Sequence, residues 1–159
     1  MSTLQLQTDE DLVALNFEAK DRRQIVEELG KRILAKGYIY PDFIEKLLDR
    51  EEEFPTGLET IYPIAIPHVG GFCKQSFLAV ATVKAPITFK AMDGSGKELA
   101  VRMIFMFGIT NPQDQVEVLK KFIFAFREEE NLKMLQELTD KREVLNLLQT
   151  LLGDGLQVN

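Results

Sequence analysis

One imidazole stands in this chain, His68, in the stretch YPIAIPHVGGF, directly after Pro67 and just ahead of Gly70-Gly71. Near the unperturbed pKa of about 6.5, roughly three-quarters of such rings are neutral at pH 7 and carry a free lone pair, so they can act as nucleophiles. Proline fixes its own backbone and forces Ile66 into extended geometry, which puts His68 where a short strand runs off the sheet edge. Gly70-Gly71 then lets the chain turn without crowding the ring, and strand ends are where α/β folds gather ligands. The bland alternative is a satisfied structural histidine. Arg50, just before the loop that leads to His68, carries a guanidinium fork suited to phosphate or carboxylate; it can equally pair with Glu53 at the end of its helix. Cys73, five residues past His68, would be the nucleophile of a Cys-His pair. That arrangement lacks a second histidine or a marked orienting group, and a lone cysteine is commonly buried.

The chain as a whole narrows these choices. Its 159 residues suffice for one well-buried core and are too few for two ordinary domains. A hydrophobic fraction of 45% with 28% charged residues is that of an ordinary globular protein. A formal charge of −6 argues against nucleic acid as a partner, since binding a polyanion needs a concentrated Lys/Arg surface. The acidic runs Glu51-Glu52-Glu53 and Glu128-Glu129-Glu130 read as solvated surface. A single cysteine rules out an internal disulfide framework, and one Cys with one His cannot fill a tetrahedral metal shell, so neither metal nor cofactor is expected. The beginning, MSTLQLQTDEDL, lacks the basic-then-apolar order of a secretory signal. The longest apolar run, Met103 to Phe107, falls far short of the ~20 residues that span a bilayer. A cytoplasmic protein without membrane insertion is expected.

The elements that must position His68 can be read in order. LVALNF is a short strand; Asp21 caps a helix with Ile25, Val26, Leu29, Ile33 and Leu34 at three-to-four spacing, ended by Gly37. Pro41 opens a second helix with Phe43, Ile44, Leu47 and Leu48 inward and Arg50 near its end. EEEFPTGLETIYP reads as a loop of about a dozen residues, more often functional than not in a compact domain. Ile64-Ala65-Ile66 is a brief buried strand stopped by Pro67. SFLAVATV and LAVRMIFMFGI suit inner strands, and AMDGSGKE between them is a hairpin turn. Asn111-Pro112 starts a helix with Val116, Leu119, Ile123 and Phe126 as its apolar stripe, while Phe122, Phe124 and Phe126 suit core and partner-facing surface. NLKMLQEL and KREVLNLLQTLL are helical, Asp140 capping the last, and residues 153–159 read as a frayed, flexible tail. A single α/β domain over residues 1–159, with a mixed sheet flanked by helices, follows.

The ordered set Arg50-Glu-Glu-Glu-Phe-Pro-Thr-Gly-Leu, then Ile-Ala-Ile-Pro-His68, resembles the active-site signature of the enzyme IIA components of the bacterial sugar phosphotransferase system, fructose/mannitol type. The likeness covers essentially the whole chain, the NPQDQVEVLKKF helix included. Two departures narrow the branch. Relatives carry a glycine-rich stretch where this chain has GLETIYP, and a second histidine where it has Gln115; EFPTGL and NPQDQV look like the galactitol-specific branch. The resemblance implies a phosphocarrier phosphotransferase: His68 takes a phosphoryl group from phospho-HPr as a tele-phosphohistidine and gives it to a sugar-specific IIB partner. The IIC permease would be served indirectly, for uptake of a hexitol, galactitol first. It implies Arg50, Thr56 and Gln115 as phosphate-binding residues, the amide of Gln115 serving in place of the second imidazole. The first turn of the Asn111 helix would offer free N–H donors to the phosphate. Because two carriers must reach His68 in turn, the ring is expected at the edge of a shallow surface depression. A regulatory module that senses phosphorylation on the same fold would share His68 and is the alternative.

Overall fold

The computed structural model describes residues 5–159; Met1–Leu4, the beginning of the acidic N-terminal stretch, lie outside the described residues. The chain runs β1 (Leu6–Thr8), β2 (Val13–Phe17), α1 (Arg22–Ala35), α2 (Phe43–Glu53), β3 (Gly57–Leu58), β4 (Ile64–Ala65), β5 (His68–Gly70), β6 (Phe77–Lys90), β7 (Glu98–Ile109), α3 (Gln115–Phe126), α4 (Glu129–Glu137), α5 (Lys141–Leu152) and β8 (Leu156–Val158). One mixed sheet orders its strands β3-β4-β7-β6-β1-β8, with β2 also pairing β6 and β5 also pairing β7. The expected α/β fold with a mixed sheet flanked by helices is the one found.

The antiparallel β6–β7 hairpin is its spine, with ten paired positions from Phe77↔Gly108 to Lys90↔Glu98. Its residues alternate between two apolar faces, as a doubly covered sheet requires. Phe77, Ala79, Ala81, Ile104 and Met106 face the side covered by α1 and α2. Leu78, Val80, Met103, Phe105, Phe107 and Ile109 face the side packed with residues of α3, α4 and α5. The expected caps hold: Asp21 accepts from the Gln24 N–H at 2.9 Å, and Asp140 from the Glu143 N–H at 3.1 Å. Gly37 closes α1 at φ +76°, where a side chain would be strained.

Four local expectations are corrected. Residues 153–159 are no frayed tail: after a 3-10 turn, Leu156–Val158 pairs in parallel with β1, and Leu156 is buried. The sequence signal missed was Leu156 itself, an apolar side chain that fills the α5 side of the sheet. The stripe of α3 is Val118, Phe122, Ala125 and Phe126, leaving Val116 61% exposed. Pro112–Asp114 form a 3-10 turn ahead of the helix, which rotates the face that meets the sheet. The loop after Arg50 is shorter than expected, because α2 continues to Glu53 and β3 begins at Gly57. Glu51 is not solvated surface; it lies inside, 4% exposed, one helical turn after buried Leu47. Glu128–Glu130 are exposed, as read.

Candidate functional site

Pro67 interrupts the edge ladder without ending it. The chain resumes as β5, whose residues pair in parallel with β7 at His68↔Phe107, Val69↔Gly108 and Gly70↔Ile109. Registered neighbours share a face, so the imidazole lies flat on the Phe107 ring, centroids 4.7 Å apart and planes 5° apart. Phe107 in turn stacks on Phe122 at 5.7 Å. His68 therefore ends an aromatic column that reaches into the core.

This corrects the expectation of a ring at the edge of a shallow depression: His68 is 3% exposed. The strand that was to run off the sheet stays paired, and the ring is held down with it. Burial, with the nearby Arg50 charge, lowers the imidazole pKa to about 4 against the counter-pull of the Ile66 carbonyl. At pH 7 all but about a thousandth of the rings are then neutral, more than the three-quarters an unperturbed ring would give.

The tautomer follows from one contact. Nδ1 lies 2.7 Å from the Ile66 carbonyl oxygen, which can only accept, so Nδ1 carries the hydrogen. Nε2 is left with a bare lone pair, and no group among the described residues bonds to it. The Ile66 peptide is itself fixed, its N–H donating to the Thr56 carbonyl at 3.2 Å. Thr56 is buried, and both its donors go to Glu51: N–H to Oε2 at 2.7 Å and hydroxyl to Oε1 at 2.6 Å. Desolvation raises the Glu51 carboxyl to about 7 against these hydrogen bonds and the Arg22 and Arg50 charges.

The other site residues gather unevenly. Arg50 makes no ion pair among the described residues, so the pairing with Glu53 is not formed; its Nε is buried without a partner and its guanidinium lies over the exposed Phe54 ring at 5.3 Å. Gln115 approaches the strand of His68: a Cβ placed on Gly70 would meet Gln115 Oε1 at 3.1 Å and Pro112 Cβ at 2.9 Å. Gly70 is thus required to let α3 dock beside β5. No hydrogen bond joins Gln115 to His68 among the described residues. The free N–H donors expected there are spent: Gln113 donates to Asn111 Oδ1, Asp114 to the Asn111 carbonyl and Gln115 to the Pro112 carbonyl. Cys73 is buried and burial pushes its thiol up to about 11, the opposite of an activated nucleophile. Of these participants the sequence reading missed Phe107, the Ile66 carbonyl and Glu51. Only Glu51 left a trace, its four-residue spacing from Leu47. Phe122 is buried and Phe124 is 66% exposed, dividing the phenylalanines between core and surface as expected.

Residues 7–150 match the family model of the phosphoenolpyruvate-dependent sugar phosphotransferase system, EIIA 2. The chain belongs to that family. It is 28% identical over 143 residues to the mannitol-specific phosphotransferase enzyme IIA component of Halalkalibacterium halodurans, covering 87% of this chain and 91% of that protein. It is 30% identical over 102 residues to the galactitol-specific EIIA component of Escherichia coli K12, covering 63% and 67%. To the transcriptional regulator ManR of Bacillus subtilis it is 31% identical over 138 residues, 86% of this chain but only 20% of the regulator's length. The fold matches that of enzyme IIAMTL in its complex with phosphorylated enzyme IIBMTL from Escherichia coli, with TM-score 0.73, 20% identity, and 88% and 95% of the chains covered. No helix among the described residues is long and apolar enough to cross a membrane.

Proposed function

We propose that this protein is the IIA phosphocarrier of a hexitol phosphotransferase system, taking a phosphoryl group on Nε2 of His68 and passing it to a IIB component. The observation that carries this is the split between the two ring nitrogens: Nδ1–H is committed to the Ile66 carbonyl and Nε2 is bare. The lone pair of Nε2 attacks the phosphorus of phospho-HPr, the P–N bond of the donor breaks, and its imidazole leaves with that electron pair. The product is a tele-phosphohistidine whose Nδ1–H still rests on the Ile66 carbonyl. Its P–N bond is then broken by a cysteine thiolate of IIB. No proton need move on His68 in either step: the phosphorylated ring that keeps Nδ1–H carries a positive charge offset by the phosphoryl oxygens and is neutral again once the P–N bond breaks.

Phosphoryl transfer asks for alignment and for charge stabilisation rather than covalent machinery. Arg50 supplies the charge: its unpartnered Nε and bare guanidinium offer donors to the equatorial oxygens. Gln115 supplies a neutral amide donor across Gly70. Thr56 is reassigned, since its hydroxyl is spent on Glu51; it shapes the site instead of binding phosphate. Nε2 is covered in the unphosphorylated protein, so docking of the carrier must expose it. The protein works in the cytoplasm and serves a IIC permease only through IIB. Galactitol is the favoured client: EFPTGL and NPQDQV resemble the galactitol-specific branch, and the chain is similar to a galactitol-specific EIIA component.

Incubation with phosphoenolpyruvate, enzyme I and HPr is the test. The protein should become labelled on a base-stable, acid-labile phosphohistidine, and His68→Ala should abolish the label; a labelled variant would end the reading. The match to ManR favours a second reading, a regulatory module of the same fold that reports phosphorylation state. Transfer of the label from this protein to a purified IIB separates the two, since a regulator would retain it.

A further inference from the structure

We propose that Glu51 is a positioning residue for phosphoryl transfer, selecting the reactive nitrogen of His68 through Thr56 and the Ile66 peptide. The inference rests on the reading of His68 as the phosphoryl acceptor. Three hydrogen-bonded steps connect the two residues. Glu51 takes both donors of Thr56 on its two separate oxygens, which fixes the backbone and the side chain of that residue together. The Thr56 carbonyl receives the Ile66 N–H, and the Ile66 carbonyl receives Nδ1–H of His68. The strand that Thr56 introduces is held as well: Gly57 pairs with Ala65 of β4 and its carbonyl accepts the Met92 N–H at 2.8 Å. Thr56 therefore cannot slide along β4 to compensate if its anchor is lost.

A carboxylate is an expensive group to hide, and this one neither caps a helix nor pairs with a cation at hydrogen-bond distance among the described residues. Both of its oxygens are turned on one residue of the loop that leads to the nucleophile. Without Glu51 the Thr56 N–H and hydroxyl become buried donors with no acceptor. The loop then relaxes, the Ile66 carbonyl moves off Nδ1, and the neutral ring is free to carry its hydrogen on either nitrogen. A ring with its hydrogen on Nε2 cannot attack through that atom.

The charge of Glu51 is not what this role uses. In Glu51→Gln the amide oxygen still accepts from the Thr56 N–H and the amide N–H donates to the Thr56 hydroxyl oxygen, so both contacts persist with one reversed and only the hydroxyl hydrogen gives up its acceptor. Geometry survives and the charge goes. The experiment measures two things on the full chain with labelled histidine: the ¹⁵N shifts of the unphosphorylated ring, and single-turnover phosphorylation by phospho-HPr. The parent and Glu51→Gln should show one tautomer, hydrogen on Nδ1, and rates within threefold of each other. Glu51→Ala should show a tautomer mixture, a rate at least tenfold lower, and phosphate on both nitrogens. Thr56→Val keeps the volume, removes one of the two bonds, and should slow transfer at least threefold; it stands in if Glu51→Ala does not fold. An unchanged tautomer and rate in the truncated variants overturns the proposal, as does a Glu51→Gln protein as impaired as Glu51→Ala. Failure of the parent to take a phosphoryl group would sink the phosphocarrier reading instead, and the tautomer measurement would still judge Glu51.

Discussion

Replacing His68 by glutamine exchanges a buried titrating ring for a side chain of similar length that does not titrate, and the consequence can be worked from the structure. The imidazole drops from 6.5 to about 4 on folding, chiefly through burial. At about 1.36 kcal/mol per unit this is about 3 kcal/mol of linkage between folding and protonation. Between pH 6.5 and 4 the unfolded ring binds a proton that the folded ring refuses, so unfolding takes up protons and stability falls as the pH falls. Above about pH 7 both states are neutral and the contribution is complete. Glu51 acts in the opposite sense: its carboxyl rises from 4.5 to about 7, so the folded state holds the proton longer and stability falls as pH rises through that window. The two slopes largely cancel in the parent protein between about pH 4.5 and 6.5, which would hide either one. The difference between parent and His68→Gln isolates the histidine. Urea unfolding followed by circular dichroism at pH 8, 7, 5.5 and 4 should give a constant difference at the upper two values. It should then swing against the parent by about 3 kcal/mol by pH 4. A difference that stays level within about 0.5 kcal/mol across the whole range would refute the buried, neutral imidazole and the reasoning built on it.

Three further outcomes are expected. Gly70→Ala drives a Cβ into Pro112 and Gln115 Oε1 at 2.9 and 3.1 Å and should destabilise by about 1–3 kcal/mol in the same urea assay, while slowing phosphorylation by displacing Gln115. Gln115→Ala should slow single-turnover transfer from phospho-HPr roughly tenfold to a hundredfold, equivalent to about 1.4–2.7 kcal/mol, with Gln115→His restoring most of the rate and Arg50→Ala costing at least as much. Leu156→Ala, in the strand that pairs with β1, should cost about 2–5 kcal/mol, whereas a truly frayed end would tolerate it without measurable loss.

On the proposed function, the burial of His68 keeps water from the acceptor nitrogen between encounters. A ring stacked on Phe107 and covered at Nε2 presents nothing to water. On that proposed function, excluding water would also strengthen the hold of Arg50 on an incoming phosphoryl charge, because the same guanidinium acts in a lower dielectric.

Short-range signals in the chain determined a good part of this. Caps at Asp21 and Asp140, the AMDGSGKE turn and the apolar runs on either side of it are local rules of backbone and burial, and each produced the expected element. The types and order of Arg50, Thr56, Pro67 and His68 likewise carried the resemblance to the family to which the chain belongs. What the chain could not disclose alone were relations between distant segments. That β5 resumes beside β7 depends on a pairing of residues 39 positions apart in sequence, His68 with Phe107, and that pairing buries the ring and lowers its pKa. The last strand is ordered because β1, at the other end of the chain, offers it an open edge. Glu51 turns inward only once the loop behind it brings Thr56 within reach. Periodicity reports which face of an element is apolar; which partner covers that face, and which polar group is sealed beneath it, is settled by tertiary packing.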